Sequence, residues 1–98
     1  MGIYTDWLDR EASAERRDVV FALRAQGLLP DRVYVDVDTE GTEGDAFAIE
    51  FNYSLCFRHE DGSLDGSTTR CFESYQGLRD YLRDYRDHGV WRKTTPSD

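Results

Sequence analysis

The sequence predicts an α+β domain: a helix, a three-stranded antiparallel meander, then a second helix, with both helices on one face of the sheet. Three observations predict it. Period-2 alternation runs through AFAIEFNYSLCFRH at 46–59 and through the shorter RVYVDVD at 32–38. Apolar residues at helical spacing occupy the stretches before and after these runs. Turn-forming clusters separate the segments, and no internal repeat interrupts them.

In the first helix, Thr5 or Asp6 is placed to cap a start at Trp7, and Leu8, Ala12, Val19, Val20 and Leu23 fall near one face. The centre, REASAERRD, is polar enough for Ser13 to cap a second helix instead. Gly27 followed by Leu28, Leu29 and Pro30 is a stop signal: a glycine just past the end, an apolar residue, then a proline.

Three strands follow. Val33, Val35 and Val37 take one face of RVYVDVD, and Tyr34, Asp36 and Asp38 take the other. TEGTEGD then reads as a turn. In the longest alternating run Phe47, Ile49, Phe51, Tyr53, Leu55 and Phe57 face inward, with Ala48, Glu50, Asn52, Ser54, Cys56 and Arg58 outward. EDGSLDGS reads as one loop, and STTRCF returns with Phe72 inward and Thr69 and Cys71 outward. A hairpin centred between Ser63 and Leu64 would set Leu55 against Phe72 and Cys56 against Cys71.

The last helix is SYQGLRDYLRDYRDHG. Ser74 is its N-cap, Leu78, Tyr81, Leu82 and Tyr85 form its apolar stripe, and Gly89 ends it. Asp80–Arg83 and Arg83–Asp87 are spaced to pair on the other face. Val90 and Trp91 are expected to fold back on the core. Residues 1–92 thus form one domain, and 93–98 read as a disordered tail.

Composition narrows the function. The 98 residues suit one domain, and two tryptophans, six tyrosines and five phenylalanines can fill its core. No apolar run approaches the ~18 residues of a membrane span. The N-terminal MGIYTDWLDREA lacks both a secretory h-region and the Ser/Thr of a myristoylation signal, so a cytoplasmic protein is expected. The formal charge is −8. Residues 31–65 alone carry ten acids against Arg32 and Arg58, so essentially all of the imbalance lies there. Such a field repels nucleic acid and steers basic partners.

Chemical sites were weighed against simpler readings. Cys56, His59, Cys71 and His88 lack the paired spacing of a zinc site, and Cys56 and His59 fall on opposite strand faces. Free thiols are expected in a reducing compartment. Asp61, Ser63, Asp65 and Gly66 resemble the start of a calcium loop, but Phe72 stands where the bidentate glutamate belongs. Asp36, Asp38 and Glu50 share a face and could meet around magnesium, yet no lysine or histidine accompanies them and no concave setting is evident. No cofactor and no enzymatic activity are therefore expected. The element order is also that of double-stranded-RNA-binding domains, but FESYQGLRD lacks the lysine cluster with which that family grips phosphate.

What remains is an acidic sheet face: Tyr34, Asp36, Asp38 and Glu50, with Glu40, Glu43 and Asp45 at its loop end. Glu60, Asp61 and Asp65 lie at the other end. In size, charge and α+β build the chain resembles the small acidic proteins, anti-CRISPR proteins above all, that phages encode against bacterial defence. The resemblance implies a non-enzymatic inhibitor acting in the host cytoplasm. Its partner would be a basic nucleic-acid-binding protein, a Cas protein or effector complex. Tyr34 would anchor the contact and the acids would pair with arginine or lysine. An immunity or antitoxin protein opposing a basic toxin would use the same surface, and the open face could alternatively serve a homodimer.

Overall fold

A computed structural model describes residues 3–41 and 49–93, with side chains from Trp7 onward except that of Glu40. The elements are α1 (Ile3–Ala25), β1 (Val33–Gly41), β2 (Ile49–Arg58), β3 (Leu64–Phe72) and α2 (Tyr75–His88). The strands form one antiparallel sheet in the order β1-β2-β3. This is the expected α+β order with an open sheet. The expected turn TEGTEGD begins later than predicted, because Thr39 to Gly41 continue β1 and pair with β2. Its remaining residues with Glu43 and Asp45, the Ala46–Ala48 start of the long strand, and the tail beyond Lys93 lie outside the described residues.

One face of the sheet carries the core. Val33, Val35, Val37, Tyr53 and Leu55 point into it, met by Val19 and Leu23 of α1, Leu28, and Leu78 and Leu82 of α2. Fully burying a side chain of this size is worth about 1.5–3 kcal/mol. The alternation therefore selects a face and holds the register between β1 and β2, where Val35 pairs with Leu55 and Asp36 with Ser54. Both helices lie on this side, α1 against β1 and α2 against β2 and β3.

α1 is a single helix, contrary to the expected start at Trp7 or break at Ser13. It begins at Ile3, so Thr5 and Asp6 lie inside it. A serine inside a helix costs only about half a kcal/mol, and tertiary bonds from the polar centre outweigh that. The Tyr53 hydroxyl donates to a Glu15 carboxylate oxygen at 2.6 Å, and Arg16 Nε donates to the Val35 carbonyl at 2.7 Å. The exit follows the expected stop. Gly27 has φ 67°, its N–H donates to Arg24 O, and Leu28 N–H donates to Leu23 O. That is a Schellman closure, with Leu23 and Leu28 both buried.

α2 matches its expected limits. The Ser74 hydroxyl accepts from Gly77 N–H at 3.1 Å, and Gly89 adopts φ 71° while donating to Tyr85 O. Trp91 folds back as expected, but Val90 stays exposed.

The β2–β3 pairing departs from the expected hairpin. Tyr53 pairs with Phe72, Ser54 with Cys71 and Leu55 with Arg70; beyond an irregularity, Phe57 pairs with Asp65 and Arg58 with Leu64. The turn centres on Asp61, and the register of the thiols is shifted, so Cys56 does not face Cys71. The cause is local. DGS occurs twice, at 61–63 and 65–67, and each time the aspartate Oδ1 accepts from the serine N–H and hydroxyl. The first copy makes the turn and the second makes a bulge of β3 residues opposite Cys56. Across this gap Thr68 Oγ1 accepts the Phe57 N–H at 2.8 Å, replacing a ladder carbonyl. Trp91 Nε1 donates to Thr68 O at 2.7 Å, and its ring sits against Phe57, Tyr81 and Tyr85 with centroids 4.5, 5.0 and 5.1 Å away. The Tyr81 hydroxyl and Arg70 Nε both donate to Arg92 O, closing the C-terminal strap.

A substitution separates this bond from mere bulk. Thr68→Ala strands the half-buried Phe57 N–H and is expected to lower unfolding free energy in urea by about 1–3 kcal/mol, whereas Thr68→Ser, which keeps the hydroxyl, loses far less. Equal losses in the two variants would show that Oγ1 does not close the bulge.

Candidate functional site

The sheet face opposite the helices gathers the outward residues. Along β1 these are Tyr34, Asp36 and Asp38, with Glu40 next in phase. Their register partners on β2 are Cys56, Ser54, Asn52 and Glu50. From β3, Cys71 stands beside Ser54. Asp36, Asp38 and Glu50 are exposed, with the two aspartates about 6.6–7 Å apart along the strand. None of the three forms an ion pair with a described residue. The Cα register pairs residue 40 with Glu50. Glu73, one residue past β3, joins Glu50, Phe51 and Asn52 around a shallow depression, a concavity that the alternation pattern did not indicate.

Several acids elsewhere are engaged. Glu60 pairs with Arg32 at 3.4 Å, Asp84 with Arg92 at 2.8 Å, Asp80 with Arg83 at 3.8 Å, and Asp87 with Arg86 at 3.2 Å. Hydrogen bonds from Ser63 hold Asp61 below the usual aspartate pKa, and those from Ser67 do the same for Asp65. These two carboxylates thus serve their own loop, which accounts for the calcium-like spelling of DGSLDG. On the helix side, burial and then the hydrogen bond to Glu15 raise the Tyr53 phenol well above its ordinary value.

Tyr34 has a different setting from that of a free anchor. It is half-buried. The Arg16 guanidinium carbon lies 4.8 Å from its ring centroid and that of Arg58 5.2 Å. Arg16 belongs to α1, so its side chain passes the β1 edge, bonding the Val35 carbonyl on the way. Arg58 is two residues beyond Cys56 on the same face. The face is therefore graded along its strands, from Glu50, Asp38 and Glu73 at one end to an arginine–tyrosine–arginine stack at the other. Sequence reading missed Arg16, Arg58 and Glu73. Arg58 was legible from its outward phase on β2; Arg16 carried no such signal.

Among the described residues, no three of His, Cys, Asp and Glu come together in a group able to hold a metal ion. His88 lies on the last turn of α2, 3.6 Å from Asp84 and away from the thiols. Cys56 and Cys71 are free, Cys56 half-buried and Cys71 exposed. Burial, and then the nearby Asp36 charge, raise the Cys56 pKa. No described helix is long and apolar enough to cross a membrane.

Two outcomes are expected. In thiol labelling with a chromogenic disulfide, Cys71 reacts first and Cys56 slowly, and Cys71→Ser leaves only the slow phase; a fast phase surviving in that variant would reverse the assignment. In acid, the depressed carboxylates stabilise the fold above the unfolded aspartate pKa near ~3.9, and this contribution disappears as pH falls through it to the lower folded values. Replacing both Asp61 and Asp65 by Asn is expected to flatten the pH dependence of stability in that window, measured by urea unfolding at stepped pH. Comparison with protein-family models, with curated proteins and with solved structures finds no match to this chain.

Proposed function

We propose that the protein is a non-enzymatic inhibitor that docks its acidic sheet face onto a basic nucleic-acid-handling protein, in the most specific reading a Cas protein or effector complex. The observation that carries this is the column of Asp36, Asp38 and Glu50, without ion pairs to described residues, on a face that neither described helix covers. Glu60, Asp61, Asp65 and Glu15 are used in an ion pair, in turns or in a hydrogen bond to Tyr53, whereas these three repel one another and form no ion pair with a described residue. Spaced carboxylates on a flat face can pair with the lysines and arginines of a nucleic-acid channel, and the −8 charge speeds that encounter. Glu73 extends the surface; Glu40, Glu43 and Asp45 would continue it at the loop end.

The test is displacement of target DNA from purified Cas effector complexes at low and moderate salt. The wild-type protein is expected to displace DNA from a susceptible complex, less so as salt rises. A variant combining Asp36→Asn, Asp38→Asn and Glu50→Gln should lose most of that effect while its stability rises by a few tenths to about 1 kcal/mol through relief of repulsion. Undiminished inhibition by the triple variant would place the binding surface elsewhere. Magnesium-dependent cleavage of nucleic acid, abolished by Asp36→Asn, would favour an enzyme instead.

A further inference from the structure

The arginine end of the face does not fit imitation of a polyanion. Two guanidinium groups stack on Tyr34 within a domain otherwise dominated by acid. Arg58 is exposed, and its guanidinium makes no hydrogen bond or ion pair with a described residue, although Asp36 lies one outward position from Tyr34. Arg16 commits its Nε to the Val35 carbonyl, and its other nitrogens bond no described residue. An arginine stacked on a ring keeps its in-plane N–H groups available, and the stack restrains the side chain, so less freedom is lost when an oxyanion binds. The fork of donors matches a carboxylate.

We propose that this end receives a carboxylate side chain of the protein docked on the acidic end, so that the surface recognises a bipolar partner: basic residues opposite Asp36, Asp38 and Glu50, and an acidic residue opposite Arg16 and Arg58. The inference rests on the acidic face being a docking surface and adds the partner's second charge. A protein carboxylate is the ligand because nucleic acid would bring a run of negative charge against the carboxylates of the same face. Both guanidinium groups stack on Tyr34, which stands one outward position from Asp36, about 6.6–7 Å along β1, and two from Asp38. That separation sets the spacing of the partner's two charges, and it also fixes which way round the partner docks.

Capped peptides and isotope-labelled protein test this by NMR titration. One peptide carries arginines at one end and glutamates at the other, separated by a short glycine–serine spacer; the control replaces the glutamates with glutamines. The bipolar peptide is expected to bind about two- to five-fold more tightly, as an exposed charge pair allows, and to shift the Arg16 and Arg58 Nε–H signals. Arg58→Ala, at an exposed position, should abolish that advantage and leave the control's affinity no weaker. Equal affinities in the wild type, or an advantage that survives Arg58→Ala, would overturn the carboxylate site while leaving the acidic-face reading intact. Failure of the control peptide to shift the Asp36, Asp38 and Glu50 amides would instead overturn that underlying reading. Inorganic phosphate and acetate form the last arm. Acetate matching or exceeding phosphate at the Nε–H signals supports the carboxylate assignment, and phosphate exceeding acetate overturns it in favour of a phosphate ligand.

Discussion

One-sided burial governs this molecule. A three-stranded sheet can be covered on one face by two helices, and the alternation in β1 and β2 puts Val33, Val35, Val37, Tyr53 and Leu55 on that face. Everything on the other side must then tolerate water, and the chain fills those positions with Asp36, Asp38, Glu50, Asn52 and Ser54. A one-residue slip would bury the acids and expose the valines, so the core and the charged face are two consequences of one register.

Within that constraint the polar groups are divided between architecture and surface. The Glu15–Tyr53 and Arg16–Val35 bonds tie the middle of α1 to the sheet. The paired DGS motifs shape the β2–β3 connection, and Trp91 fixes its far side. These bonds consume local donors and acceptors. The carboxylates of Asp36, Asp38 and Glu50 on the open face take no part in them.

The elements and the buried face were legible because they depend on periodicity and on end signals such as Gly27, Ser74 and Gly89, which act within a few residues. What was illegible depends on contacts distant in sequence. REASAERRD looked too polar to continue a helix because its partners, Tyr53 and Val35, lie on the sheet. The thiol pairing failed because a symmetric hairpin was assumed, although the repeated DGS spelled two local turns where EDGSLDGS had been read as one. Asp36, Asp38 and Glu50 of the candidate face are assigned from strand phase alone, whereas Glu73 lies past the end of β3. At the arginine end of the face Arg58 follows from the same phase, but Arg16 does not, since it arrives from another element around the edge of β1.

The sheet edges bear on how a partner can approach. An edge strand offers unpaired backbone groups to any extended chain, and proteins commonly block that route. Here Arg16 occupies the Val35 carbonyl on β1. On β3, Trp91 occupies the Thr68 carbonyl and Arg70 bonds the Thr69 carbonyl. The bulge further breaks the regular spacing that an added strand would need. Strand addition is thus opposed at both edges by the chain's own side chains, while the flat outer face stays clear of both helices. Recognition through this sheet therefore falls to side chains and their charge pattern. On the proposed docking surface, the gradient from Asp38 and Glu50 to Arg58 would set both which partner fits and the direction in which it lies.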